Sequence, residues 1–212
     1  AEAVAALEGL MVTGGRLNLH RALTMDIPTV RQAWVARYDG PSEAYDTAQD
    51  IAIDFAGNVY VTGRSNVLQA GGDYLTIKYD NGGNELWIAT YDGPASANDS
   101  AVDIELDGDG NVYVTGRSGG DGTGEDYATI KYDSDGNQLW VVRYDGPASS
   151  NDVDPVLELD SSGNVYVTGD SVGTGTQNDY ATVKYDTDGN ELWVARYDGP
   201  ASLVDLATGL EI

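Results

Sequence analysis

The chain has 212 residues, 41% of them hydrophobic, with no cysteine and a formal charge of −24. Length and apolar content permit a core of ordinary size, while the missing cysteine excludes a disulfide framework and a thiolate site. The acidity argues against nucleic acid and anionic lipid as partners, since both are bound by basic patches, and no apolar run approaches the ~20 residues that span a bilayer.

Residues 1–33 carry balanced charge: Glu2, Glu8 and Asp26 against Arg16, Arg21 and Arg31. AEAVAALEGLMV is rich in helix formers until Gly9 breaks it. After Thr13 and two glycines, Leu17, Leu19, Ala22 and Leu23 are spaced for one apolar helical face, so a second helix is expected from about Arg16 to Leu23. His20, the single histidine, sits there with no nucleophile motif near it, and a surface position is expected. Residues 27–33, with Pro28, read as a linker. Nothing at the start has the layout of a signal peptide.

From Trp34 the chain repeats with a period of 53. GNVYVTG begins at Gly57, Gly110 and Gly163; tryptophans fall at Trp34, Trp87, Trp140 and Trp193; YDGP begins at Tyr38, Tyr91, Tyr144 and Tyr197. A fixed period of this length marks supersecondary units that bury their faces against neighbours. The repeats hold the excess charge: from Trp87 to Leu139 there are eleven acids against Arg117 and Lys131.

Within each unit the side-chain period is 2. Ile51 and Ile53, Val59 and Val61, Leu75 and Ile77, and Trp34, Ala36 and Tyr38 each share a face. Four strands rich in Val, Ile, Tyr and Thr are joined by D-x-x-G-N turns, which suit hairpins with glycine at a positive-φ position. The expected fold is all-β: an incomplete β-propeller of three four-stranded antiparallel blades, at about 48–91, 101–144 and 154–197, with a short N-terminal helical segment. An outer strand at 34–38 precedes the blades. A partial blade runs to residue 212, where Leu210, Glu211 and Ile212 align with Ile104, Glu105 and Leu106. Three blades do not close a ring, so the chain reads as a segment of a longer polypeptide.

Two resemblances attach to these residues. The repeat region, about 34–212, resembles the bacterial β-propeller repeat often called seven-bladed and, more loosely, the NHL repeat; this implies the propeller fold and an unspecified protein or carbohydrate ligand. VTGGRLNLHRAL, within residues 10–24, resembles the segment that closes the catalytic domain of subtilisin-like serine proteases, where GGRLN opens the last helix. That implies a secreted bacterial or archaeal parent with serine endopeptidase activity, but the nucleophile, aspartate and histidine motifs of that family are absent from this chain. The chain itself is therefore expected to be non-catalytic, a binding or spacing module or a purely structural stalk.

Candidate sites each have a plain alternative. Asp107 and Asp109, Asp133 and Asp135, and Asp186 and Asp188 could ligate calcium, but their glycine stands fourth rather than sixth and no bidentate glutamate follows, which favours hairpin turns. Gly119 to Asp126 has a superficial likeness to a calcium-binding nonapeptide. The segments between second and third strands vary most between units and are candidate binding loops. Lys78, Lys131 and Lys184 are expected to meet a carboxylate of their own blade. The tryptophans could be saccharide platforms, although their phase with the strands favours wedges between blades. No catalytic residue and no cofactor are assigned. The two ends of the repeat array expose complementary faces, from which head-to-tail self-association is expected.

Overall fold

A computed structural model describes residues 32–40, 45–67, 71–95, 97–200, 203–207 and 209–212. The chain divides into one unit of residues 1–33 and another of residues 34–212. The expected helices, His20 and the GGRLN segment lie outside the described residues.

Among the described residues the structure is all-β, with no helix. The first blade contains β1 (Thr47–Ile53), β2 (Val59–Val67), β3 (Gly71–Tyr79) and β4 (Glu85–Tyr91). The second contains β5 (Ser100–Leu106), β6 (Val112–Gly120), β7 (Gly124–Tyr132) and β8 (Gln138–Tyr144), and the third β9 (Asp152–Leu159), β10 (Val165–Val172), β11 (Asn178–Tyr185) and β12 (Glu191–Tyr197). Each is a separate antiparallel sheet with its strands in chain order, and the first strands β1, β5 and β9 lie side by side. These are the blades of an incomplete β-propeller.

The turns are built by one aspartate. Asp107 Oδ1 accepts the N–H groups of Asp109 (3.0 Å) and Asn111 (2.9 Å), and its Oδ2 accepts Asn111 Nδ2 at 2.7 Å. Gly110 N–H donates to the Asp107 carbonyl with a φ of 83°. The same pattern recurs at Asp54, Asp80, Asp133, Asp160 and Asp186.

The core lies between blades, because strand alternation gives each blade an aliphatic face and an aromatic one. Ile104, Val112, Val114 and Ile130 of the second blade pack against Tyr60, Tyr74, Trp87 and Tyr91 of the first. Leu157, Val165, Val167 and Val183 of the third meet Tyr113, Tyr127, Trp140 and Tyr144 of the second. Trp87 and Trp140 are wedges: their Nε1 groups donate to the Ser134 and Thr187 carbonyls of the following blade. Inside each blade a buried threonine pair, such as Thr115 and Thr129 at 2.9 Å, satisfies its hydroxyls across the second and third strands.

Four expectations need correction. Residues 34–38 form no strand: they make no ladder with the described strands, and Trp34, Ala36 and Tyr38 are held instead by side-chain packing on the first blade's aliphatic face. Leu210 to Ile212 also form no strand, pairing with none of the described strands. The variable segments are mostly ladder rather than loop: β6 and β7 stay paired out to Gly120 and Gly124. Lys78 and Lys131 reach the Ser134 and Thr187 carbonyls of the next blade, lying over the rings of Tyr60 and Tyr113. A neighbour's carbonyl is nearer than any carboxylate; Lys184, in the last blade, does pair with Asp160 of its own blade at 3.6 Å.

Candidate functional site

The hairpin geometry sends chemistry to two opposite ends of each blade. The D-x-x-G-N turns close the first and third hairpins at one end; the second hairpin and the crossing segment to the next blade meet at the other.

At the turn end, the second and third blades enclose a cavity of about 500 Å³. It is lined by Asp107, Asp109, Tyr113 and Lys131 on one side and by Asp160, Ser161 and Ser162 on the other. Asp107 and Asp160 are already engaged in their turns, and the Tyr113 hydroxyl donates to Asp107 at 3.1 Å. The Asn164 side chain holds the Asp160 carboxyl down at about 2, with the Asn164 N–H adding to the effect, so it stays ionised. The Asn137 and Asn190 side chains likewise hold Asp133 and Asp186 below the ordinary carboxylate range. Asp109, Asp135 and Asp188 lend their N–H groups to the turns. Asp107 and Asp109 thus lie in an inter-blade cleft, whereas Asp133, Asp135, Asp186 and Asp188 lie on the outer hairpins.

At the other end, three different aspartates converge in every unit. One comes from the third strand (Asp73, Asp126, Asp179), one follows the fourth strand (Asp92, Asp145, Asp198), and one ends the crossing segment (Asp99, Asp152, Asp205). Each member of a triad offers a carboxylate oxygen, and these oxygens lie within 4.8 Å of one another.

The crossing segment is tied by its last aspartate. Asp152 Oδ2 accepts the Gly146 N–H at 2.6 Å, as Asp99 accepts that of Gly93 and Asp205 that of Gly199. Asp126 Oδ2 is held by Arg143 at 2.8 Å and by the Thr123 hydroxyl at 3.2 Å. Asp179 Oδ2 is held by Arg196 at 3.2 Å and Thr176 at 3.0 Å. Each arginine also reaches the preceding blade, Arg143 to the Tyr91 hydroxyl and Arg196 to that of Tyr144. Asp126 and Asp179 are 4% and 3% exposed, yet the Oδ1 atom of each makes no hydrogen bond. Burial, with the charges of Asp126 and Asp145 adding to it, pushes the Asp152 carboxyl up to about 6.

The triads escape a reading of local spacing because their members are 19 and 7 residues apart on three elements. A signal was available: all three positions are aspartate in all three units, outside the turn motifs. Asp126 is also the last residue of the Gly119 to Asp126 run, which the structure resolves into the end of β6, a short turn and the start of β7.

A family model described as a beta-propeller repeat (SBBP) matches residues 36–68. No curated protein sequence matches the chain. Among solved structures, one described as the eukaryotic initiation factor is 10% identical over 77% of this chain and 35% of that one, with a TM-score of 0.47. A fucose lectin from Kordia zhangzhouensis, in complex with methyl-fucoside, is 19% identical over 71% of this chain and 99% of that one, with a TM-score of 0.40. The chain spans about a third of the first of these.

Proposed function

We propose that the chain is a non-catalytic binding module that takes a hydroxyl-rich ligand, a saccharide, in the cleft between successive blades. The observation that carries this reading is the cavity of about 500 Å³, whose rim presents carboxylate, hydroxyl and ammonium groups within one seam. Polar groups placed in this way hydrogen-bond sugar hydroxyls, and the repeat offers a similar seam at each blade junction. A smaller cavity of about 320 Å³, beside Asp54, Phe55, Glu105 and Asp107, occupies the corresponding place between the first two blades.

The test is saturation-transfer NMR of the chain against a panel of neutral and acidic saccharides. Binding should be lost when Ser162→Trp fills the cleft. Binding that survives Ser162→Trp refutes the cleft as the site. No binding across the panel refutes the saccharide and leaves a protein ligand or a spacer role.

The wider setting belongs to the same proposal. The GGRLN resemblance supports a secreted subtilisin-like serine protease of bacterial or archaeal origin as the parent, with these blades outside the cell beside its catalytic domain. Head-to-tail association is a second reading, favoured by exposed apolar groups on the last blade and an apolar cavity on the first. Trp193 and Tyr197 are 41% and 47% exposed on the aromatic face, and an apolar cavity of about 290 Å³ beside Ile51, Val61 and Ile77 opens on the aliphatic one.

A further inference from the structure

We propose that the triads Asp126, Asp145, Asp152 and Asp179, Asp198, Asp205 each bind a calcium ion at the seam between a blade and its crossing segment. Acidic clusters are common, and closeness of carboxylates alone assigns nothing. The decisive feature is that Asp126 and Asp179 are buried, have one oxygen satisfied by arginine and threonine, and keep the other without a donor. Asp152, 1% exposed, stands beside Asp126 with its Oδ2 on the Gly146 N–H. A buried carboxylate oxygen with no partner is costly, and such groups mark the place of an ion.

The donor set selects the ion. Every side-chain ligand is a carboxylate, which suits a hard cation rather than zinc or copper. Oxygens up to 4.8 Å apart fit around calcium, whose bonds of about 2.3–2.6 Å place opposite ligands about 4.6–5.2 Å apart. Magnesium, at about 2.0–2.1 Å, would draw them to about 4.2 Å or less and demands an octahedron.

Charge agrees. Three carboxylates and one arginine leave two negative charges at each seam, which one divalent ion neutralises. The ion would face the carboxylate edge that Arg143 or Arg196 does not cover. At the first seam Thr90 stands where the others have arginine, and Asp73 is raised by burial and by the charges of Asp92 and Asp99. That seam shows no buried unpartnered carboxylate oxygen among the described residues, so the proposal stops at two ions.

The experiment strips the full chain with chelator and loads it with terbium, whose emission is excited through nearby tyrosines. Calcium should displace terbium from at least two sites per chain, magnesium should not, and millimolar calcium should raise the melting temperature by several degrees. The exposed aspartates give variants that need not disturb the fold: Asp145→Asn with Asp198→Asn should lose the terbium signal and the thermal shift. Asp126→Asn with Asp179→Asn should lose both as well. Asp109→Asn, Asp135→Asn and Asp188→Asn together, in the turns, should keep both. Wild-type terbium emission that calcium does not displace overturns the proposal. So does calcium binding that survives Asp145→Asn with Asp198→Asn but disappears in the turn variant.

Discussion

Two turn glycines allow inter-blade packing to be separated from backbone strain. Gly110 and Gly136 have φ of 83° and 85° at the same place in two hairpin turns of one kind. A Cβ at Gly110 would meet only Ser134 Cβ, at 3.7 Å, whereas at Gly136 it would stand 2.7 Å from Trp87 Cδ2 and 3.0 Å from Cγ. Gly110→Ala should therefore cost only the left-handed conformation, ~1–2 kcal/mol. Gly136→Ala costs the same and also dislodges the indole. Losing the Trp87 bond to the Ser134 carbonyl adds ~1 kcal/mol, and disturbed packing adds ~1–2 kcal/mol. We expect about 3–5 kcal/mol in all, read from urea unfolding followed by circular dichroism and tryptophan fluorescence. In a Trp87→Ala background the extra cost of Gly136→Ala should vanish, which makes the coupling visible as a double-mutant cycle. Equal losses at the two glycines, within ~0.5 kcal/mol, would refute the wedge.

Acidification should stabilise the chain before it destabilises it. Burial, together with the neighbouring Asp50 carboxyl, pushes Asp103 up to about 6 against the pull of the Leu157 N–H. The folded state then binds a proton that the unfolded state, titrating near 4, does not, so stability rises as pH falls from about 7 to about 4. The gain is ~1–2 kcal/mol after allowance for solvent screening, and Asp103→Asn should remove it while leaving the share due to Asp152. The turn aspartates, held low, act the other way: their contribution is present above the ordinary carboxylate range and is lost as pH falls below it. A melting temperature that falls steadily from pH 7 to 4 would contradict this account. Self-association is tested by sedimentation: the weight-average mass should rise with salt, which screens the acidic surface, and Trp193→Asp should abolish the rise.

The fold was legible because both of its signals are local. Alternation assigns each strand's faces, and D-x-x-G-N contains the whole hydrogen-bonding set of its turn, from Asp107 to Asn111. The wedging role of the tryptophans followed from their phase. The partners of Lys78 and Lys131 were not legible, since a carbonyl 56 residues away leaves no mark in composition. The same holds for the triads: nothing near Asp126 in sequence announces Asp145 or Asp152. The D-x-D-G-N motif drew attention to Asp107 and Asp109, whereas the buried carboxylates belong to no such turn motif. Burial, which the sequence does not state, distinguishes the two sets.

The contacts that join blades have constant reach along the chain. Trp87 and Trp140 each bond 47 residues ahead, Lys78 and Lys131 each 56, and the Asp50 and Asp103 carboxylates each receive an N–H from 54 ahead. An in-frame excision or duplication of 53 residues, wherever it begins inside the array, therefore returns every donor to an acceptor of the same kind. A change of 52 or 54 that falls within a strand would turn the part of that strand beyond the junction inside out. Blade number is thus free to drift by whole units through recombination between the similar segments, while the seam itself is held fixed. Selection for reach or valency can act on copy number without redesigning a single interface.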